Sequence, residues 1–469
     1  MKILSLTLLL ASISFNVLAN GTQVRVQKNE DGYKLIVDGK DFMIKGMNWD
    51  YYPIGANYTY NLWEQSDATI ISVLNQEMGL LKNMGVNALR IYVGIPKKWI
   101  AYIYENYGIY TMLNHSFGRY GLTLEDGWVA HTEYNHPQVK ELLIKETSLL
   151  AKEYKDTPGL LFYLLGNENN YGLYWKDMGS LGFQKERKSA ALDNRGMYKL
   201  FLLGKKNDKA PSVSEKAQDT LGFNQKVAKR AKAMYTLFNE AAIAMKSEDS
   251  SHPIALCNGD IMFIETIQKT CPNIDIFGTN MYRGISFGDS FQRVAEELEK
   301  PILFTEFGAD AYNAMANKED QESQVYYLLR NWREIYANAS GIGGGKNCIG
   351  GFTYQFSDGW WKVGQTKNLD VHDSTATWNN GGYHKDDLNG ANNMNEEWFG
   401  ICSKVPINSR GSYDLWPRAA YFVLKEVHEF SPYDSSITLV ELEDFFKNIQ
   451  LYKAIKKSLN YSEQKMDND

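Results

Sequence analysis

Two glutamates in this chain share one local setting. Glu168 follows the apolar run LLFYLLGN, and Glu306 follows PILFT. Two carboxyl groups facing one another across a cleft suit the cleavage of a glycosidic bond. One stays protonated and donates to the leaving oxygen, while the other is ionised and attacks the anomeric carbon or activates water. Burial or a like charge raises the pKa of the first, and cations or hydrogen-bond donors keep the second ionised. A carboxyl separation of about 5–5.5 Å goes with retention of configuration, and roughly 6.5–9.5 Å with inversion.

Candidate partners close other apolar runs. Arg90 in LRIYVG could hold a carboxylate ionised through a fork of hydrogen bonds, and Tyr282 in TNMYRG could donate its hydroxyl to the same group. Asn167, beside Glu168, and His115, at the end of IYTMLNH, could bind sugar hydroxyls. Taken singly, each has a plainer reading: a solvated or loop-capping glutamate, a structural ion pair, a core tyrosine, a satisfied histidine. Their joint occurrence at strand ends is what points to chemistry.

The elements that would position them follow an ordered rhythm. TQVRVQ and GYKLIVDGK alternate apolar and polar residues around NEDG, as a β-hairpin does. Eight strand-like runs follow: FMIKGMN, VNALRIYVG, IYTMLNH, LLFYLLGNE, HPIALCN, IDIFGTNMY, PILFTE and IGGFTYQF. Most are succeeded by a helical pattern, such as Ile70, Ile71, Leu74, Met78 and Leu81. This order predicts a (β/α)8 TIM barrel with an N-terminal β-hairpin and long loops after strands four and eight. An open doubly wound sheet is the runner-up, but it normally carries a Gly-rich phosphate loop after its first strand, and none occurs here. Barrel active sites are built from the carboxyl ends of the strands, which is where Glu168 (strand four) and Glu306 (strand seven) fall.

The predicted organisation is a secretory signal over 1–19, a hairpin over 20–41, a barrel over 42–435, and a C-terminal helix with a fraying polar tail over 436–469. Lys2, a short apolar stretch, Val17 and Ala19 make the signal pattern and imply export to the periplasm or the exterior. Charge is modest, at -6 over 469 residues with no basic run, so nucleic acid is not an expected partner. No later stretch is apolar and long enough to span a membrane. Cys257, Cys271, Cys348 and Cys402 lack the paired spacing of a zinc site, and a helix length separates Cys257 from Cys271, so no bridge is expected between them. The loop from Ser357 to about Arg410 carries SDGWWKVG, ATWNNGGYH and NEEWFG, and a loop of that length is usually functional. Trp360 or Trp361 is expected there as a sugar platform, against the alternative that the loop packs on itself. Asp358, Glu396 and Glu397 do not make a cation site, and neither metal nor cofactor is expected.

GNE after strand four and TEFGAD around strand seven resemble the clan of retaining β-glycosidases, and most nearly the barrel domain of glycoside hydrolase family 2. FMIKGMNWDYYP, NMYRG, GGFTYQFSD, EEWFGI and PRAAYFVLKEV extend the resemblance from about residue 33 to about 427, with the long insertions unmatched. The resemblance implies Glu168 as acid/base, Glu306 as nucleophile, Arg90 and Tyr282 as its orienting partners, and Asn167 as a sugar contact. The substrate it implies is a β-linked oligo- or polysaccharide. The pattern departs from the family in lacking β-sandwich domains ahead of the barrel and in placing Tyr354 where tryptophan is common. A single barrel after a short hairpin is also similar to fungal cell-wall β-1,3-glucanosyltransferases. Transfer to a sugar acceptor and a non-catalytic carbohydrate-binding barrel therefore stand as alternatives to hydrolysis. Sugar identity, linkage, exo or endo action and oligomeric state have no readable code in the residues.

Overall fold

A run such as LLFYLL has no polar face to turn to water, and a parallel strand covered on both sides is what it forms. The computed structural model describes residues 21–92, 94–174, 213–362, 364–387, 392–407 and 413–466. Eight such strands occur: β1 (Ile44–Asn48), β2 (Ala88–Ile91), β3 (Tyr110–His115), β4 (Leu160–Leu165), β5 (Ile254–Gly259), β6 (Ile276–Asn280), β7 (Ile302–Phe307) and β8 (Cys348–Thr353). They pair in parallel in chain order, and β8 returns to β1 to close the ring. The (β/α)8 barrel is thus the observed fold. Gly350 permits the closure: its φ is +125°, and a Cβ there would lie 2.2 Å from the Ile44 carbonyl oxygen on β1.

Alternation along the strands then sorts the side chains. Ile44, Ala88, Met112, Phe162, Ala255 and Ile276 share one apolar cluster inside the ring. Two or four residues further on, the same faces carry Asn48, Arg90, Asn114, Cys257 and Asn280. The barrel interior is therefore apolar at its base and polar at the carboxyl ends of its strands.

The N-terminal hairpin is a three-stranded sheet, Val24–Asn29, Gly32–Val37 and Lys40–Phe42. The third strand arises because Asp38 and Gly39 both take positive φ, 48° and 81°, the geometry of a two-residue hairpin turn. Phe42 consequently ends this sheet rather than opening the first barrel strand. Leu35 and Val37 join the interior cluster, and Tyr33 N–H donates to the Lys346 carbonyl (2.8 Å) just before β8, so the sheet closes the base.

Amphipathic helices cover the outside, among them Asp67–Asn83, Lys97–Tyr107, Pro137–Tyr154, Gln321–Ala337 and Ala419–Glu429. Ser66 caps the first of these, accepting from Thr69 N–H. GKKNDKAPSVSEKAQD, part of the long loop expected after strand four, lies largely outside the described residues; its end, from Val213, begins the helix Val213–Glu248. The residues of the signal lie outside them as well. Two helices, Leu439–Asn448 and Leu451–Met466, occupy the C-terminal segment. The tail NYSEQKMDND, expected to fray, is helical from Asn460 to Met466, and its last three residues lie outside the described ones. All four cysteines are free and buried, with no Cys257–Cys271 bridge. Among the described residues, no helix is long and apolar enough to cross a membrane.

The long segment after β8 folds back over the strand ends. Its anchor is Asp358, fully buried, which takes a two-pronged bond from Arg418 at 2.6 and 2.8 Å and a third from Gly400 N–H at 3.0 Å. Removing one partner of a buried ion pair strands the other. Asp358→Ala is expected to lower unfolding free energy by about 3 kcal/mol, measured by urea titration, with Glu319 alone left to neutralise Arg418.

Candidate active site

Glu306 sits at the end of β7, 8 % exposed, and is surrounded by donors. Its Oε1 accepts from Arg90 Nη1 (2.9 Å) and from the Tyr92 hydroxyl (2.5 Å), and its Oε2 from the Tyr282 hydroxyl (3.0 Å). Arg90 is fully buried, and its N–H groups also reach Asn114 Oδ1, Asn167 Oδ1, Asn280 Oδ1 and the Thr305 carbonyl. Tyr92 lies under the Arg90 guanidinium and divides one hydroxyl proton between Glu306 and Asn48 Oδ1 (2.8 Å). The Asn48 amide is fixed in that orientation because its Nδ2 donates to the Thr305 and Phe352 carbonyls, both at 3.2 Å.

Glu168 stands in a different environment. Its φ is +55°, a left-handed conformation that a glutamate adopts only when its surroundings enforce it. Three features impose it. Glu168 N–H donates to the Cys257 carbonyl on β5 (3.1 Å). Asn169 Oδ1 accepts from Asn167 N–H (2.7 Å), and Asn170 clamps Gly259 through both N–H (2.7 Å) and carbonyl (2.9 Å). Gly166 turns at φ +84°, where a Cβ would strike Asn169 Oδ1 at 2.6 Å. Asn169 and Asn170 are thus the buried ties that aim Glu168. Its carboxyl accepts one hydrogen bond, from Asn280 Nδ2 at 3.2 Å. Burial, then the nearby Glu306 charge, pushes its pKa up to about 7, against the opposing pull of Arg119. The two carboxyls are therefore divided by environment: one bonded by three donors, the other poorly solvated and beside a like charge.

No family model and no curated protein matches the chain. Solved structures do. A β-glucuronidase from Bacteroides uniformis superposes with a TM-score of 0.50 at 12 % identity, over 86 % of this chain and 37 % of its own. A family 2 β-galacturonidase from Eisenbergiella tayi gives 0.48 at 14 %, over 88 % and 55 %. A β-D-glucuronidase of Dictyoglomus thermophilum gives 0.48 at 14 %, over 88 % and 54 %. The shared feature is the barrel fold. The chain spans about half the length of these proteins, or less.

Of the residues singled out in the sequence, Glu168, Glu306, Arg90, Tyr282 and Asn167 come together at the strand ends. Asn167 turns its oxygen to Arg90 and Asn280 and its Nδ2 to the Tyr120 hydroxyl (2.7 Å). His115 does not join them. Its Nδ1 accepts from Phe117 N–H, and its Nε2 lies 3.5 Å from Glu146 on the helix Pro137–Tyr154, outside the ring. Asn114, one residue earlier, is the inward side chain, as its parity with Met112 required. Trp360 is 9 % exposed and stacked at 5.0 Å on His372, which stacks in turn at 4.0 Å on Trp398, so it packs the loop on itself. Trp361 instead meets Tyr52 and Tyr58.

Tyr92, Asn280, Asn48 and Tyr120 were not singled out. Tyr92 was readable as the next residue on the face of Arg90, and Asn280 as the strand-six residue facing inward. Asn48 and Tyr120 carried no local signal. Tyr354 packs edge-on against Tyr282 (6.4 Å) and Phe399 (5.6 Å). Among the described residues, no group of three or more His, Cys, Asp or Glu side chains is arranged to hold a metal ion.

Tyr92→Phe removes a hydroxyl donor to a buried charge, an interaction of about 1.5–3 kcal/mol. If Glu306 acts in chemistry, kcat/KM is expected to fall roughly 10- to 100-fold in this variant, with the far-ultraviolet circular dichroism spectrum unchanged. Steady-state kinetics measures it.

Proposed function

We propose that this chain is a retaining β-glycoside hydrolase acting on β-linked oligo- or polysaccharide. The observation that carries the reading is the pair of carboxyls at the ends of β4 and β7 in unlike surroundings, Glu306 bonded by Arg90, Tyr92 and Tyr282 and Glu168 buried with one amide donor. Glu306, ionised among Arg90, Tyr92 and Tyr282, attacks the anomeric carbon and forms a glycosyl ester. Glu168 donates its proton to the departing oxygen and is left as a carboxylate. It then takes a proton from an incoming water, whose oxygen displaces Glu306 and completes the double displacement. Arg90 and the two tyrosines stabilise the carboxylate that departs in this second step, and Asn167 is the residue this reading assigns to a hydroxyl of the reacting sugar. Resemblance of the sequence motifs and likeness of the barrel to β-glucuronidase structures agree with this reading.

The acid must be protonated at the start of each cycle. As its pKa is raised to about 7, kcat/KM is expected to be sustained below that pH and to fall as pH rises through it. In Glu168→Gln this limb should vanish from the pH profile of substrates whose leaving group still needs a proton.

A panel of aryl β-glycosides and defined β-linked oligosaccharides tests the reaction itself. Glu306→Ala is expected to abolish turnover, and Glu168→Ala to reduce it by about 10²- to 10⁴-fold. Proton NMR of the first product should show the β-anomer. Unchanged turnover in Glu306→Ala removes Glu306 as nucleophile, an α-anomer replaces retention with inversion, and products longer than the substrate assign the same residues to transfer.

A further inference from the structure

Beside the carboxyl pair, on the side of β1 and β8, three aromatic rings meet from two separate loops. Tyr52 and Tyr58 follow β1, and Trp361 follows β8. The ring centroids of Tyr52 and Trp361 are 5.2 Å apart, and those of Tyr58 and Trp361 5.9 Å apart. Tyr52 is 9 % exposed, Trp361 partly exposed and Tyr58 50 % exposed, so the group grades from an anchored base to an open edge.

The loops that carry these rings are tied to one another. Gly55 N–H donates to the Leu369 carbonyl (2.9 Å), and Asn57 Nδ2 to the Gln365 carbonyl (3.0 Å). Asn57 is itself buried, and its oxygen accepts from Thr59 N–H and the Thr59 hydroxyl, which fixes the turn below Tyr58. Under Tyr52, the buried Lys404 ammonium donates to the Tyr52 carbonyl at 3.0 Å. The rings therefore stand in place before any ligand arrives, and little ordering cost is left for binding.

The group follows the carboxyl ends of β1 and β8, the same end of the ring as the carboxyl pair. The Tyr120 hydroxyl accepts from Asn167, the neighbour of Glu168. Tyr120 is 59 % exposed. Tyr120 thus stands on the side of Asn167 and Glu168, and Tyr52, Tyr58 and Trp361 on the side of β1 and β8. Rings with an apolar face and a polar hydroxyl or N–H match the two kinds of surface a pyranose offers, its C–H face and its hydroxyl edge.

We propose that Tyr52, Tyr58 and Trp361 form a shelf that binds a sugar unit beyond the reacting one, so that the ligand is an extended β-linked glycan rather than a short glycoside. The proposal rests on the reading of the carboxyl pair as a glycosidase centre, but its test does not need turnover. Glu306→Gln protein is titrated by calorimetry with β-1,3- and β-1,4-linked gluco-oligosaccharides of one to six units. Affinity is expected to rise with length in at least one series. Trp361→Ala and Tyr58→Ala, each in the same background, should weaken binding of the longest member about tenfold and leave the shortest unchanged. Tyr58→Ala removes an exposed ring, so it reads the shelf even if Trp361→Ala perturbs folding, and thermal melting of both variants reports that. Length-independent affinity, no binding in either series, or full affinity in Tyr58→Ala would overturn the shelf. Hydrolysis of an aryl β-glycoside by the native chain, abolished by Glu306→Ala, reports separately on the catalytic reading.

Discussion

A guanidinium with no exposure to water lies at the centre of this molecule, and the strand ends are arranged around it. Arg90 cannot shed its charge, and an unpaired cation in a barrel interior would cost several kcal/mol. Its N–H groups are met by Asn114 on β3, Asn167 after β4, Asn280 on β6 and both the carbonyl of Thr305 and the carboxylate of Glu306 on β7. Each contact fixes one strand end relative to the others. The positions of Asn167 and Glu306, and through Asn280 that of the Glu168 carboxyl, follow from satisfying one buried charge.

The same cation also divides the carboxyls. Glu306 is in direct contact with it and with two phenols, whereas Glu168 receives one amide hydrogen bond and feels the Glu306 charge. A left-handed backbone at Glu168 is the geometric counterpart of that separation: it turns the side chain inward while Asn169 and Asn170 hold the main chain to the loop after β3 and to β5. Strain at this residue is held by bonds that a solvent-facing turn would not make.

Much of the frame was legible in the sequence. Runs such as LLFYLL and PILF could only be covered strands, and their alternation with amphipathic helices left few topologies besides a barrel. Once strand ends were assigned, Glu168, Glu306, Arg90 and Tyr282 followed. Errors arose where the deciding factor was not local. His115 and Asn114 are adjacent polar residues, and only the parity of β3 against the ring assigns the inward place to Asn114. Trp360 and Trp361 are neighbours of identical type, and the stack of His372 and Trp398, contributed from later in the chain, buries one and leaves the other near Tyr58. The helix Leu451–Met466 packs on Ala419–Glu429, with its buried residues Ala454 and Ser458 ahead of the polar tail.

By itself the sequence determined the strand and helix periods, the carboxyl-end location of the two glutamates, and the presence of an arginine and a tyrosine to accompany them. These depend on hydrophobic pattern and residue type, which are properties of short stretches. Tertiary structure alone decided that Asn48 and Tyr120 meet Tyr92 and Asn167, that Glu168 is poorly solvated while Glu306 is bonded on three sides, and that Trp361 stands with Tyr52 and Tyr58. Those outcomes depend on which side chains from distant strands share a few ångströms of low-dielectric space, and closure of the barrel is the step that brings them there.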